Sequence, residues 1–423
     1  MFMQDWVHAN SSDAFQQELA GGIPVANNLL FNGNGTFVCD DLDPKCCARC
    51  SAINNITLCN PDPACAKLNP GGGLSSTIFQ AGKKYLLRLI NSSAEAMFIF
   101  SIDDHDLTVI QTDLVPIHPY KTKSLFVGIG QRYEVIVEAK TPKNATEANY
   151  WIRTRIATGC GTVQQSDERT GILRYNSTST ITPTTAANDQ RVLCEDEPAA
   201  SLVPVVPWEI DSLAQIQGSI NNYTFEAGID FNKSNPLNHG YVRWDLLDHP
   251  LYLNYSDPTI LHVDQPTFDF GPDYCIVPYD YSAGYVWLII TGHGINPTKG
   301  VIPAAHPIHL HGHDFVVLDQ STDKFDLENV ANFTLNNPPR RDVALLYSGG
   351  YLALAFKPDN PGVWLVHCHI AWHASSGLAL QVYERQPDII GHLGGEGALA
   401  PVRQGCLSWE KFDLKFDQDD SGI

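Results

Sequence analysis

The sequence predicts an all-β protein of sandwich type, built from two copies of one unit. Three observations carry this. Apolar runs rich in Val, Ile, Tyr and Phe, such as Tyr85–Ile90, Phe98–Ile110, Tyr133–Glu138 and Tyr285–Ile290, are separated by Gly, Pro, Asn and Asp, the punctuation of short strands. Long helical periodicity is scarce. A pattern also recurs along the chain. The segment Phe98-Ile-Phe-Ser-Ile-Asp-Asp-His105-Asp106 aligns with His306-Pro-Ile-His-Leu-His-Gly-His313-Asp314. Further on, Gly130–Val137 aligns with Gly349–Phe356, and Trp151–Arg155 with Trp364–Cys368.

The elements follow in order. Residues 1–194 form the first copy, interrupted by a Cys-rich insertion at 39–65. The proline-bearing stretch 195–207 reads as a linker, residues 208–386 as the second copy, and 387–423 as a tail. The insertion holds Cys39, Cys46, Cys47, Cys50, Cys59 and Cys65. Cys47 and Cys50 could supply one Cys-x-x-Cys knuckle, but the second knuckle of a zinc site is lacking, so three disulfides are expected there. Cys275 has no obvious partner.

Composition narrows the function. With 47 acidic and 27 basic residues the formal charge is -20, which argues against nucleic acid and anionic membranes as partners. No apolar run is long enough to span a bilayer. Met1–Ala20 is polar and acidic, without the basic start and apolar centre of a signal peptide. Yet about ten Asn-x-Ser/Thr sequons occur, among them Asn34, Asn55, Asn91, Asn144, Asn222 and Asn332, alongside eleven cysteines. Sequons and cysteines together predict an extracellular protein.

The functional signal lies in two segments of the second copy. One is His306-Pro307-Ile308-His309-Leu310-His311-Gly312-His313, and the other is His367-Cys368-His369-Ile370-Ala371-Trp372-His373. Side chains alternate across a strand. His367 and His369 therefore share one face and Cys368 points to the other. By the same parity His309 and His311 share a face, opposite His306. If the two strands are neighbours, two sites result. Cys368 and His306 form one, with His373 reaching in from the following turn. His309, His311, His367 and His369 form the other, joined to the first through the peptide bonds around Cys368.

Two imidazoles with one thiolate are the ligand set of a blue-copper centre. Leu378, ten residues after Cys368, cannot coordinate. An aliphatic axial position leaves copper three-coordinate and favours Cu(I). Ordinary core histidines would account for one or two of these residues, but not for a thiol flanked by two histidines beside a second His-x-His. Structural zinc closes tetrahedrally with fewer ligands, so copper is expected. His313 has ligand parity, but its counterpart His105 lies in the copy without a metal set. His313 is therefore expected to be a hydrogen-bonded structural residue. On the same alignment Phe98, Ser101 and Asp103 occupy the positions of His306, His309 and His311.

The two histidine segments resemble the third and fourth copper signatures of the multicopper oxidases, and within them those of ascomycete laccases. The resemblance extends over nearly the whole chain. It implies two cupredoxin-like Greek-key sandwiches, corresponding to the family's second and third domains. It implies that His306, Cys368 and His373 bind type 1 copper, His309 type 2 copper, and His311, His367 and His369 the type 3 pair. Up to four coppers would then couple one-electron oxidation of a small phenolic or aromatic donor to reduction of O2 to water, in a secreted monomer.

The family's trinuclear site uses eight histidines, of which four are here. The chain opens at Met1-Phe2-Met3-Gln4-Asp5-Trp6, which resembles the start of the second domain, so a first domain with the other ligands is expected to be missing. The resemblance also implies a Cys160–Cys194 disulfide, a Cys406 whose partner lies in the first domain, and a plug-like C-terminus at Asp420-Ser421-Gly422-Ile423. It further implies that Glu95 accepts a proton from the donor, which is chemically useful because a phenol that loses its proton with its electron avoids a high-energy radical cation. Two alternatives stay open: oxidation of Fe(II), and a non-enzymatic type 1 copper-binding remnant. Arg340, Arg341 and Asp342 are expected to form an ion-paired turn that orients the next strand.

Overall fold

The computed structural model describes residues 1–37, 48–53, 56–61, 71–141, 148–164, 167–188, 191–231, 240–293, 302 and 304–413, with 48–53 and 56–61 as backbone only. The expected disulfides of 39–65 and the C-terminal Asp420–Ile423 lie outside these side chains. Within the insertion, the strands Ala48–Ile53 and Ile56–Pro61 pair antiparallel.

The fold is all-β. The first sandwich packs a six-stranded sheet against a five-stranded one. The six-stranded sheet has the order Val115–Thr122, Leu107–Thr112, Arg132–Glu138, Lys84–Asn91, Phe2–Trp6, Asn28–Phe31. The five-stranded sheet has Phe98–Ile102 beside Asn149–Ile156 near its centre. In the second sandwich, Tyr285–Thr291, Tyr351–Phe356 and Phe315–Ser321 form the middle of one sheet. The facing sheet has the order Ile276–Tyr279, Ala379–Glu384, Gly362–Cys368, His306–Leu310, Val343–Leu346.

Alternation decides which residues go inside. In Arg132–Glu138, Tyr133, Val135 and Val137 are buried while the residues between them are not. Tyr285–Thr291 is buried throughout, as expected of a strand covered on both faces. One apolar core crosses the chain: Phe15, Leu19, Met97 and Ile99 of the first sandwich pack with Leu288, Ile308, Val366 and Cys368 of the second.

Register corrects the repeat. Ser101 pairs with Arg153 and Phe100 with Thr154. In the second copy His309 pairs with His367 and Ile308 with Cys368. Arg153 is therefore the counterpart of His367, and Thr154 that of Cys368. Matching Trp151 to Trp364 by residue type is one position out, because strand pairing and not tryptophan identity defines equivalence.

Two further expectations change. Asn91 is 1% exposed, and its amide donates to the carbonyls of Ala96 and Val127, both at 3.0 Å. It is a structural amide and not an accessible sequon, whereas Asn34, Asn222 and Asn332 are exposed. Arg340–Arg341 is a short strand, not a turn. Its ion pairs reach into the first sandwich: Arg341 donates to Asp113 at 2.8 Å, and Arg132 grips both oxygens of Asp342 at 2.6 Å. Bidentate geometry of this kind fixes orientation as well as contact.

The helix Ser11–Leu19 begins where Asn10 accepts from the Asp13 backbone N–H at 2.8 Å, and it buries Ala14, Phe15, Glu18 and Leu19 on one face. The tail begins with helices Gln386–His392 and Ala400–Asp413. No described helix is long and apolar enough to cross a membrane.

Candidate metal centre

The strand His306–Leu310 lies between Val343–Leu346 and Gly362–Cys368, so both histidine segments meet in one sheet. The chain then turns at Ile370 into the short helix Ala371–Ser375, which carries His373 back over the sheet. Backbone bonds close this turn: Cys368 N–H donates to Leu378 at 3.0 Å, and Leu378 N–H to His373 at 2.9 Å.

Three donors converge on one face. Cys368 Sγ lies 3.5 Å from His306 Nδ1 and 3.7 Å from His373 Nδ1, and the two nitrogens are 3.2 Å apart. A first-row ion bound by nitrogen at about 2.0–2.1 Å and thiolate sulfur at about 2.3 Å separates its ligand atoms by about 3.3–3.8 Å. The donor set therefore fits one ion. It is the one group of three such donors among the described residues. Leu378 is wholly buried beside it and offers no donor atom. Three ligands and a dry wall suit copper better than zinc, which prefers four. Burial pushes the Cys368 thiol well above its ordinary pKa and holds His373 well below its own, with His306 adding to the latter. A bound cation would supply the charge that a buried thiolate requires. His306 is wholly buried, whereas His373 is partly exposed.

The other four imidazoles gather on the opposite face, as parity requires. Ring centroids are 4.9 Å apart for His309 and His311, 5.1 Å for His311 and His367, and 5.5 Å for His367 and His369. His309 Nδ1 donates to the Asp342 carbonyl at 2.7 Å, and His367 Nδ1 to the Cys368 carbonyl at 2.9 Å. Each bond commits Nδ1 and leaves Nε2 free as a ligand atom. The Nε2 atoms of His311 and His367 are 3.1 Å apart. Burial holds His309, His311 and His369 below their usual pKa and takes His367 to about 3, so neutral imidazole, the ligand form, prevails. Gly130 of the first sandwich, at φ +78°, closes on this cluster: a Cβ there would sit 2.5 Å from His369.

His313 stands apart from both sets. Its Nδ1 is 3.1 Å from the His311 carbonyl and its Nε2 2.8 Å from Glu384. Its counterpart His105 bonds the Asp103 carbonyl and the Tyr175 hydroxyl, each at 2.8 Å.

Glu95 sits on a loop that reaches the mononuclear site. Asp5 accepts the backbone N–H groups of Ala94, Glu95 and Ala96, each at 2.8 Å. The Ala94 carbonyl in turn accepts from Ala371 at 2.9 Å, at the start of the helix that carries His373. Burial first, then the Asp5 and Glu18 carboxylates, push Glu95 up to about 8. Sequence reasoning missed Asp5, Glu18 and Trp244; a carboxylate on the buried face of a nine-residue helix is the one local signal for Glu18.

Cys160 and Cys194 are disulfide-bonded, as the resemblance implied. Cys275 and Cys406 are free and buried.

The family model described as multicopper oxidase matches residues 1–178, and a second of the same description matches 252–388. A laccase of Arthroderma benhamiae is 36% identical and Laccase-2 of Botryotinia fuckeliana 39% identical, each alignment covering 100% of this chain. The chain spans 65% and 66% of their respective lengths. An oxidoreductase of Pestalotiopsis microspora is 35% identical, with 68% of its length covered. Among solved structures, the laccase from Botrytis aclada superposes with a TM-score of 0.83 at 38% identity, covering 100% of this chain and 70% of that one. Fet3p superposes with a TM-score of 0.68 at 21% identity, covering 96% of this chain and 69% of that one, a likeness of fold.

Proposed function

The chain belongs to the multicopper oxidase family, and we propose that it forms the donor-oxidising half of a laccase-like enzyme. His306, Cys368 and His373 would hold type 1 copper, with buried Leu378 beside them offering no donor atom. His309 would serve type 2 copper, and His311, His367 and His369 the type 3 pair. Bound copper would supply one-electron chemistry with the donor and reduction of O2 to water. The observation that carries the reading is the convergence of one thiol and two imidazoles within 3.7 Å, back to back with four more imidazoles.

The chain's own residues divide the work. His373, the partly exposed imidazole of the three donors, is the edge a donor reaches. Glu95 receives the phenolic proton when ionised. The backbone around Cys368 links the thiol to His367 and His369 by covalent bonds alone. These 423 residues provide four of the eight imidazoles that the family resemblance implies for the cluster. The chain produced by itself is therefore expected to take up type 1 copper and to reduce O2 at an ordinary rate only when the remaining ligands are supplied. Sequons and the Cys160–Cys194 disulfide support an extracellular setting, and the enzyme acts as a monomer.

The likeness to laccases at 36% and 39% identity, against 21% for Fet3p, favours phenols over Fe(II) as the donor. Burial pushes Glu95 up to about 8, so its share as proton acceptor grows as pH rises toward that value. Copper titration followed by absorption and EPR spectra tests the proposal, with a dimethoxyphenol and ferrous ion compared as donors. One tightly bound copper with a thiolate charge-transfer band is expected. Folded protein that binds no copper, or oxidises ferrous ion far faster than the phenol, overturns it.

A further inference from the structure

Trp244 belongs to none of the copper signatures, yet it touches both imidazoles of the mononuclear site. Its ring stacks on His373, with centroids 4.1 Å apart and planes at 29°. It meets His306 edge-on, with centroids 4.9 Å apart and planes at 61°. The indole is 7% exposed, so its N–H requires a protein partner. That partner is Glu18, whose Oε1 accepts from Nε1 at 2.8 Å.

Glu18 comes from the other sandwich. It is 8% exposed, on the buried face of the helix Ser11–Leu19, flanked by Ala14, Phe15 and Leu19 in the shared core. The hydrogen bond spans 226 residues of sequence.

We propose that Glu18 is a positioning residue for the mononuclear centre: through its hydrogen bond it locks the Trp244 indole against His373 and His306, and so fixes the planes in which both Nδ1 atoms meet Cys368. Two imidazoles on different elements, one in a strand and one in a short helix, must present Nδ1 to the same point. His373 is carried by a helix of five residues without a side-chain N-cap bond, so its ring gains orientation from what is packed on it. A flat indole covering one ring and abutting the other constrains both. The hydrogen bond keeps that indole from sliding along the imidazole face.

The inference rests on reading His306, Cys368 and His373 as a copper site. The test compares full-length Glu18→Leu, Glu18→Gln and Trp244→Phe with the parent chain. Copper(II) affinity, EPR hyperfine splitting and the thiolate-to-copper charge-transfer band are recorded, with near-ultraviolet circular dichroism as a check of folding. Loss of an outer-shell partner typically weakens metal binding by about 10- to 100-fold. Glu18→Leu, which removes the acceptor, and Trp244→Phe, which removes the donor, are expected to lose affinity in that range and to broaden the band. Glu18→Gln retains an oxygen acceptor and is expected to stay close to the parent. The inference is overturned if Glu18→Leu or Trp244→Phe keeps parental affinity and spectrum, or if Glu18→Gln falls as far as Glu18→Leu. If Glu18→Leu does not fold, the contrast of Trp244→Phe with Glu18→Gln decides. A parent chain that binds no copper fails the copper reading instead, which separates the two.

Discussion

The two sandwiches place different chemistry at equivalent positions of equivalent sheets. In the second, His311 and His367 bring their Nε2 atoms to 3.1 Å. In the first, the equivalent positions hold Asp103 and Arg153, whose carboxylate and guanidinium make two hydrogen bonds at 2.7 and 2.9 Å. Where His306 stands buried in one copy, Phe98 fills the space in the other. Thr154 takes the place of Cys368 and bonds Thr170 at 3.0 Å. A buried polar pair must be satisfied by something. One copy satisfies it internally with opposite charges, and the other leaves neutral donors directed at a common point. His105 and His313 mark what the copies share, since each is a hydrogen-bonded strut next to that position.

The sharpest break in the comparison is Cys368→Ser. Loss of the thiolate is expected to abolish the charge-transfer band and to lower donor oxidation by more than about 100-fold, beyond what losing an outer-shell partner costs. Absorption spectra of the copper-loaded chain check the first, and oxygen-electrode rates with the remaining cluster ligands supplied check the second. Unchanged rates would remove the second sandwich's claim to be the redox domain.

Next comes the ion pair in the copy without ligands. Asp103→Ala removes one of the two carboxylates that pair with buried Arg153, leaving Glu168 at 2.7 Å, and with two charged hydrogen bonds lost is expected to cost about 3 kcal/mol in urea denaturation. An Asp103→Leu, Arg153→Leu double variant should recover most of it. Neither change should alter copper content, because the pair belongs to the other sandwich. His311→Ala, measured without metal, should cost under about 1 kcal/mol, since it breaks no ion pair.

A smaller effect lies at the junction. Glu95 is raised from 4.5 to about 8, so its neutral form is the one the fold accommodates. Its contribution to stability is fully present below the unfolded value and is lost as pH rises through the folded one. Metal-free Glu95→Gln should match the parent near pH 4.5 and become more stable by on the order of 2–4 kcal/mol at pH 8. Denaturation across that range reads the gap. In the loaded, active enzyme, phenol oxidation should rise as pH approaches 8. Glu95→Gln should flatten that limb by about 10-fold or more, as expected for loss of a general base. A parallel pH profile in both proteins would dismiss Glu95 as the proton acceptor.

The smallest expected effect is Leu378→Met. A thioether in the axial position stabilises Cu(II), lowers the reduction potential and should slow donor oxidation only a few-fold. Redox titration checks the direction.

How much was legible follows from how each contact is made. His309 and His311, or His367 and His369, share a face because side chains in any strand alternate, whatever the strand packs on. Cys368 opposite its neighbours needed no tertiary information, and neither did the all-β class, which alternation and turn residues announce. The third segment of the repeat was misaligned by one because two tryptophans suggested a match that hydrogen-bond register overrules. Asn91 read as a sequon because its burial is set by the carbonyls of Ala96 and Val127.

The sequence by itself determined the donor set and its two-sided arrangement, since both are properties of strand periodicity and residue type. Only the tertiary structure decided that His373 and not His306 is the accessible imidazole, that Asp5 holds the Glu95 loop, and that Glu18 reaches Trp244 across 226 residues. Periodicity is local and repeats with fixed geometry. These contacts instead depend on how two sandwiches and a short helix pack, and packing is the joint result of apolar surfaces that no single segment encodes.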